Sequence, residues 1–309
     1  MVYIAVKNRE WTINKMKKHK PSTRIKLKEL VRDENINLGE IDVSLITDMR
    51  ELFYDSERKD FSGIETWDVS HVIDMSFMFC KARDINGDIS NWDVSSVTNM
   101  SGMFQENLMF NGDLSKWNVS NVVDMSNMFF YAQKFNGDIS KWNVSSVADM
   151  RGMFAFANNF NGNISGWDVS NVKNMSKMFN VAFNFNGDLS RWNVSNVTDM
   201  SEMFYRASIF NGDISNWDVS NVTNMYRMFA KTKLFNSVLP WNTSKVVNMQ
   251  EMFFAAESFT GDISIWKWNM SSVRRSINMF AESKKYFLDK TESAKQWSNF
   301  LKEQKWQHH

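Results

Sequence analysis

Two sets of Asp and Asn residues recur through the chain at a fixed interval, and they are its first candidates for chemistry. One set follows a glycine: Asp88, Asp113, Asp138, Asn163, Asp188, Asp213 and Asp262. The other follows a tryptophan: Asp68, Asp93, Asn118, Asn143, Asp168, Asn193, Asp218 and Asn242. Oxygen ligands repeated in register could hold calcium. Paired carboxylates could also do general acid–base work. Free exchange of Asp with Asn argues against both, because either chemistry needs the charge. Identical carboxylates in every copy also single out no reaction centre. The pattern favours Asx side chains that accept hydrogen bonds from turn backbone or stack along the array. No metal or other cofactor is expected.

Other catalytic signals are missing from the sequence. The histidines are His19, His71, His308 and His309, scattered or terminal, and the last two read as a tag. No HExxH, CxxC, GxSxG or Walker-type pattern occurs. Cys80 is the sole cysteine, in a slot that other copies fill with Gln, Phe, Ala, Asn or Tyr. A lone thiol gives no disulfide framework and fits a reducing compartment. The recurrent Met-x-x-Met-Phe suggests metal binding or docking, but its spacing puts all three on one inward face, as core. The chain is not expected to be an enzyme.

The elements that must carry these residues are set by a strict repeat. Trp67, Trp92, Trp117, Trp142, Trp167, Trp192 and Trp217 follow one another every 25 residues, within about ten near-copies of one unit. Such a period marks a solenoid whose rungs cannot bury their apolar sides alone. In the third copy the apolar register is Ile89, Trp92, Val94, Val97, Met100, Met103, Phe104 and Phe110, with Asn107 where others have Ala. Trp92 and Val94 alternate as in a short strand. Val97, Met100, Met103 and Phe104 recur as on a helical or 3₁₀ face, with Ser95 or Ser96 as its N-cap. The register matches a leucine-rich-repeat frame. The expected fold is therefore an α/β leucine-rich-repeat-like solenoid. A parallel sheet lines one side, short helical segments the other, and helical caps close both ends. At about 4.8 Å per rung, ten rungs span roughly 45–50 Å.

Three segments follow. Residues 1–37 are basic and read as an N-terminal helical cap, with Pro21-Ser22-Thr23 starting a helix whose apolar set is Ile25, Leu27, Leu30 and Val31. Residues 38–280 form the array. Residues 281–309 read as a C-terminal helical cap, with Ala294, Trp297 and Leu301 facing the last rung. The first copy has Ile41 in place of Trp, and the ninth has Thr243 where Val is normal.

A net charge of +1 argues against nucleic acid as the main partner. No run of 18 apolar residues exists, so no membrane span is expected. No signal peptide or anchor is visible, which reads as cytoplasmic. A monomer is expected.

Function then falls to the surface, where repeat arrays place partner contacts at positions that vary. The residue before each Trp varies, and it supplies Asn91, Lys116, Lys141, Arg191 and Asn216. Beside them stand Asp93, Asn118, Asn143, Asp168, Asn193 and Asp218. Together they form a candidate strip for an unidentified protein partner. Self-association into a structural array, an intracellular scaffold and calcium or glycan binding are the alternatives.

The unit FNGDISxWDVSxVTxMxxMFxxA resembles the repeats of BspA-family leucine-rich-repeat surface proteins. It is similar as well to the repeats of mycoplasmal lipoproteins carrying a domain of unknown function. The resemblance covers about residues 38–280. It implies a non-enzymatic protein-binding solenoid used in surface attachment or adhesion, on a bacterial cell surface or secreted by a non-classical route.

Overall fold

The computed structural model describes residues 17–83, 85, 87–261 and 268–284. The regular elements that lie wholly within them are helix α1 (Arg24–Arg32) and two 3₁₀ turns, Leu38–Glu40 and Ile64–Thr66. No β-strand forms among the described residues. The expected C-terminal helix, from residue 285 on, lies outside them, as do Asp262 and the terminal histidines.

Each 25-residue unit is a closed loop of tight turns. In the copy that starts at Phe110, Trp117 N–H donates to Leu114 O, and Val122 N–H to Val119 O. Met128 bonds Met125, Ala132 bonds Phe129, and Phe135 bonds Ala132 in the same way. Every such turn points its first and fourth residues inward; the two between are exposed or half-buried, except Ser126, which is buried. All of these end residues are buried. An apolar spacing of three is thus produced by consecutive turns, without a helix.

Left-handed residues prevent a helix from forming. Asn127 (φ 55°) and Tyr131 (φ 60°) stand third in the Met125–Met128 and Phe129–Ala132 turns, as type II turns require. A right-handed helix cannot continue through them. A strand fails for a different reason. The N–H groups of Trp92 and Val97 are spent within their own turns, on Ile89 O and Val94 O, so they cannot pair with the next rung.

These bonds overturn the expected α/β architecture. Among the described residues there is no parallel sheet on one side and no row of helical segments on the other. The leucine-rich-repeat frame goes with them, since it needs the strand. Ser95 caps no helix; its own N–H donates to Asp93 Oδ1 at 3.0 Å.

The rungs are joined along one part of the loop. Met125, Asn127, Phe129 and Tyr131 donate their N–H groups to the carbonyls of Asp149, Arg151, Met153 and Ala155 in the next rung. Alternate amides therefore run along the stack, and those between close turns. The parallel pairing is one residue wide per rung, from Asp48↔Asp74 through Asp124↔Asp149 to Asn248↔Arg275.

Aromatic columns fill the interior. Phe104, Phe129 and Phe154 stack at 5.6 and 5.7 Å between centroids, and Phe129 also lies 3.8 Å from Phe135 of its own unit. Trp142 and Trp167 stack at 6.4 Å, nearly parallel. Each described Trp also reaches back a rung with its indole N–H, as Trp142 does to Leu114 O at 3.0 Å. A buried N–H would be costly without such an acceptor.

Helix α1 covers the first rung. Thr23 Oγ1 accepts from Lys26 N–H, and Leu27 and Val31 are buried. Ile25 is 70% exposed, so it does not belong to the packed face. Buried Arg58 ties the helix down. Its guanidinium donates to Val31 O, Asp33 O, Ile36 O and Asp60 O, satisfying carbonyls at the helix C-terminus.

Candidate functional site

The recurrent Asp and Asn residues are turn acceptors. After the glycines, Asp113 Oδ1 accepts from Ser115 N–H at 2.9 Å, and Asp138 from Ser140 at 3.0 Å. After the tryptophans, Asp93, Asn118, Asn143, Asp168, Asn193 and Asp218 each accept from the amide two residues on. Asn makes the same bond as Asp, which explains their exchange. Hydrogen bonds from Ser95, Ser170 and Ser220 hold the carboxyls of Asp93, Asp168 and Asp218 below the usual range.

A third such column was not singled out in the sequence. It sits at the bridge positions, where Asp124 accepts from Ser126 N–H at 2.8 Å and Asp149 from Arg151 N–H at 2.8 Å. Its signal was an Asp or Asn just before the first Met of most units. Burial pushes the Asp149 carboxyl up, opposite to the exposed columns. A fourth ladder runs through the turn asparagines: Asn136 N–H donates to Asn111 Oδ1, and Asn161 N–H to Asn136 Oδ1.

All eleven residues of the nominated strip are exposed. Lys116 Nζ reaches Asn91 Oδ1 one rung back at 2.9 Å, so the structure joins this pair. Lys141 and Arg191 stay in solvent, where their charges help to lower Asp138 and Asp188. Each Asp and Asn that follows a tryptophan has one oxygen committed to its turn, and the charged side chains of Lys141 and Arg191 are left to face outward.

A second variable surface lies on the corner formed by the left-handed residues. One corner column is Asp55, Lys81, Glu106, Tyr131, Phe156, Val181, Arg206, Lys231, Ala255 and Glu282, all at positive φ and none of them glycine. The other left-handed column does use Gly102 and Gly152. At Gly152 a side chain would strike Asn127 Oδ1, 2.3 Å from an added Cβ. An ordinary residue held in this conformation costs on the order of 1–2 kcal/mol, and a β-branched one such as Val181 is an outlier.

The corner is apolar in its middle. Phe130, Tyr131 and Phe156 form an aromatic cluster with centroids 5.3 to 6.2 Å apart, at the surface. Phe183 stands 40% exposed one rung further on. Ion pairs flank the cluster: Lys81 with Glu106, Lys177 with Glu202, and Arg227 with Glu251 at 2.6 Å. No apolar period marks these positions in the sequence. Only the closed loop of turns lines them up.

Cys80 is buried, and burial, with Glu106 nearby, pushes its thiol up to about 12. A thiol so disfavoured as thiolate is a poor nucleophile. Among the described residues no three His, Cys, Asp or Glu side chains converge as a metal site would need, and no helix is long and apolar enough to cross a membrane.

Stacked turns, internal ladders and a variable exterior define a tandem-repeat protein. The chain belongs to the family described as "Mycoplasma protein of unknown function, DUF285", whose model matches residues 26–140, 124–240 and 213–304. No curated protein and no solved structure matches it.

Proposed function

We propose that the chain is a non-enzymatic repeat scaffold that binds a protein partner through its variable outer surface. One observation carries this reading. The residues shared by the units are consumed inside the stack, as core or as ladder acceptors, and the freely varying residues face out. Trp142, Met150 and Phe154 are buried; Asp138 and Asn143 hold turns. Lys141 and Tyr131 are exposed, and both positions change from rung to rung. A stack of this kind offers a rigid surface, so that little ordering entropy is lost when a partner docks.

Attachment at a bacterial cell surface is the finer form of the proposal, supported by the likeness of the repeat unit to BspA-type surface proteins. The test is a cross-linking pull-down with the full chain, against its own cell's lysate and against candidate host proteins. A partner retained by the wild type, and lost on charge reversal of Lys116, Lys141 and Arg191 or on truncation of the Phe130–Tyr131–Phe156 corner, supports it. Retention that survives both changes sinks it.

A further inference from the structure

The corner column is continuous along the stack. Tyr131 N–H donates to Ala155 O, Phe156 to Asn180 O, Val181 to Tyr205 O, Arg206 to Ala230 O and Lys231 to Phe254 O. Successive corner residues therefore stand one above another, about 4.8 Å apart at parallel spacing. From Tyr131 to Lys231 the row covers four rungs, on the order of 19 Å, the length of about six extended residues.

Along that row the chemistry changes sharply. The first rungs present Phe130, Tyr131 and Phe156. Val181, buried, stands in the rung between, and the two beyond it present Arg206 and Lys231, with exposed Lys233 beside them. None of these three cations forms an ion pair among the described residues. The nearby carboxylates Glu202 and Glu251 are engaged by Lys177 and Arg227. Glu257, a rung beyond Lys233, is the nearest acid in its column, and no ion pair joins the two. Arg206 and Lys231 instead lie over the rings of Tyr205 and Phe254, at 5.9 and 5.8 Å from the centroids. This stacking holds their charges out along the row.

We propose that this corner is the docking site for an extended acidic protein segment. Its apolar or aromatic residues lie on Phe130, Tyr131 and Phe156, and its carboxylates meet Arg206, Lys231 and Lys233. The inference rests on the protein-binding reading above and names the chemistry of the partner. Two features carry it: unpaired cations aligned with an exposed aromatic cluster, and a backbone conformation that disfavours side chains yet keeps one in every rung.

The test uses the full chain and two labelled octapeptides followed by fluorescence anisotropy. Both have phenylalanine and leucine in one half; the other half is glutamate and aspartate in one peptide and lysine in the other. The acidic peptide is expected to bind at least ten-fold more tightly, and to weaken several-fold at high salt. Arg206→Glu with Lys231→Glu should abolish its binding while the melting temperature is unchanged. Tyr131→Ala with Phe156→Ala should weaken it about ten-fold. Equal or tighter binding of the lysine peptide, or an intact affinity after charge reversal, overturns the proposal. If neither peptide binds while a protein partner cross-links to Lys116 or Lys141, this inference fails and the protein-binding reading stands. If no protein cross-links anywhere either, both fail.

Discussion

The indole N–H of Trp142 donates to the carbonyl of Leu114, 28 residues earlier, at 3.0 Å. Trp142 also stacks on Trp167 at 6.4 Å. The side chain is both core and strut, and two substitutions separate the roles. Trp142→Ala removes both and should destabilise by about 3–5 kcal/mol. Trp142→Phe keeps a stacked ring but orphans a buried carbonyl, at about 1–3 kcal/mol. Chemical denaturation of both variants tests this. No loss in Trp142→Phe would mean that the hydrogen bond contributes nothing.

Asn107 breaks the rule that buried polar groups find partners. It is fully buried, and neither its Oδ1 nor its Nδ2 has a hydrogen-bond partner. Other units fill the slot with Ala132, Ala157, Ala182 or Ala207, and Thr232 solves the problem by bonding Phe229 O at 2.8 Å. Asn107→Ala should therefore stabilise, by about 1–2 kcal/mol, since the desolvation cost of an unpaired amide is removed. Thr should also be tolerated. A lower denaturation midpoint for Asn107→Ala would show that the amide is in fact satisfied.

Acid should unfold the stack through its turn acceptors. Burial pushes the Asp42 carboxyl up, but hydrogen bonds from Lys20 and Ser44 and the Lys20 charge outweigh it and hold it at about 2. Asp93, Asp168 and Asp218 are lowered by their serine bonds. A carboxyl lowered in the folded state stabilises above its unfolded pKa, near 4, and that contribution is lost as pH falls through the folded value. Asp149, raised by burial, acts in the opposite sense and offsets a part. Stability should fall between about pH 4 and 2. The triple variant Asp93→Asn, Asp168→Asn, Asp218→Asn should hold its turns as Asn118, Asn143 and Asn193 do, and shift acid unfolding to lower pH. An unchanged acid midpoint would assign the acid sensitivity elsewhere.

Much of the fold was legible in the residues. The inward register from Ile89 through Trp92, Val94, Val97, Met100, Met103 and Phe104 to Phe110 is buried throughout. The Asp and Asn columns are the turn acceptors that their exchange implied. The local backbone was not legible, because a spacing of three fits a helix face and a run of turns equally well. The discriminating signal was weak: glycine at positions 102 and 152, where a left-handed third turn residue is needed. Asn at position 127 fits the same requirement. Arg58 was invisible for another reason. It is a single residue in a degenerate copy, and three of its four carbonyl partners, Val31, Asp33 and Ile36, come from a segment that sequence periodicity does not reach. The candidate site was half legible. Variation marked the strip beside Trp, where Lys116 and Asn91 do meet, but the corner depends on turns that put Tyr131, Phe156 and Arg206 in one row.

That row makes a prediction about the cost of its own geometry. Arg206 is exposed and held at φ 57°, where glycine is at no disadvantage and arginine is strained. Its N–H bond to Ala230 O is a backbone bond and survives any side chain except proline. Arg206→Gly should relieve about 1–2 kcal/mol of left-handed strain and lose about 0.5–1 kcal/mol to the greater freedom of glycine in the unfolded chain. The net is a gain of roughly 0.5–1 kcal/mol, read as a higher denaturation midpoint. Arg206→Ala keeps the Cβ and should show no such gain. Stability gained with glycine while the acidic peptide is lost would mean that the side chain is kept at a stability cost for its contact with a partner. If Arg206→Gly destabilises, arginine is packing on Tyr205 strongly enough to justify its own conformation, and the corner needs no outside partner to explain it.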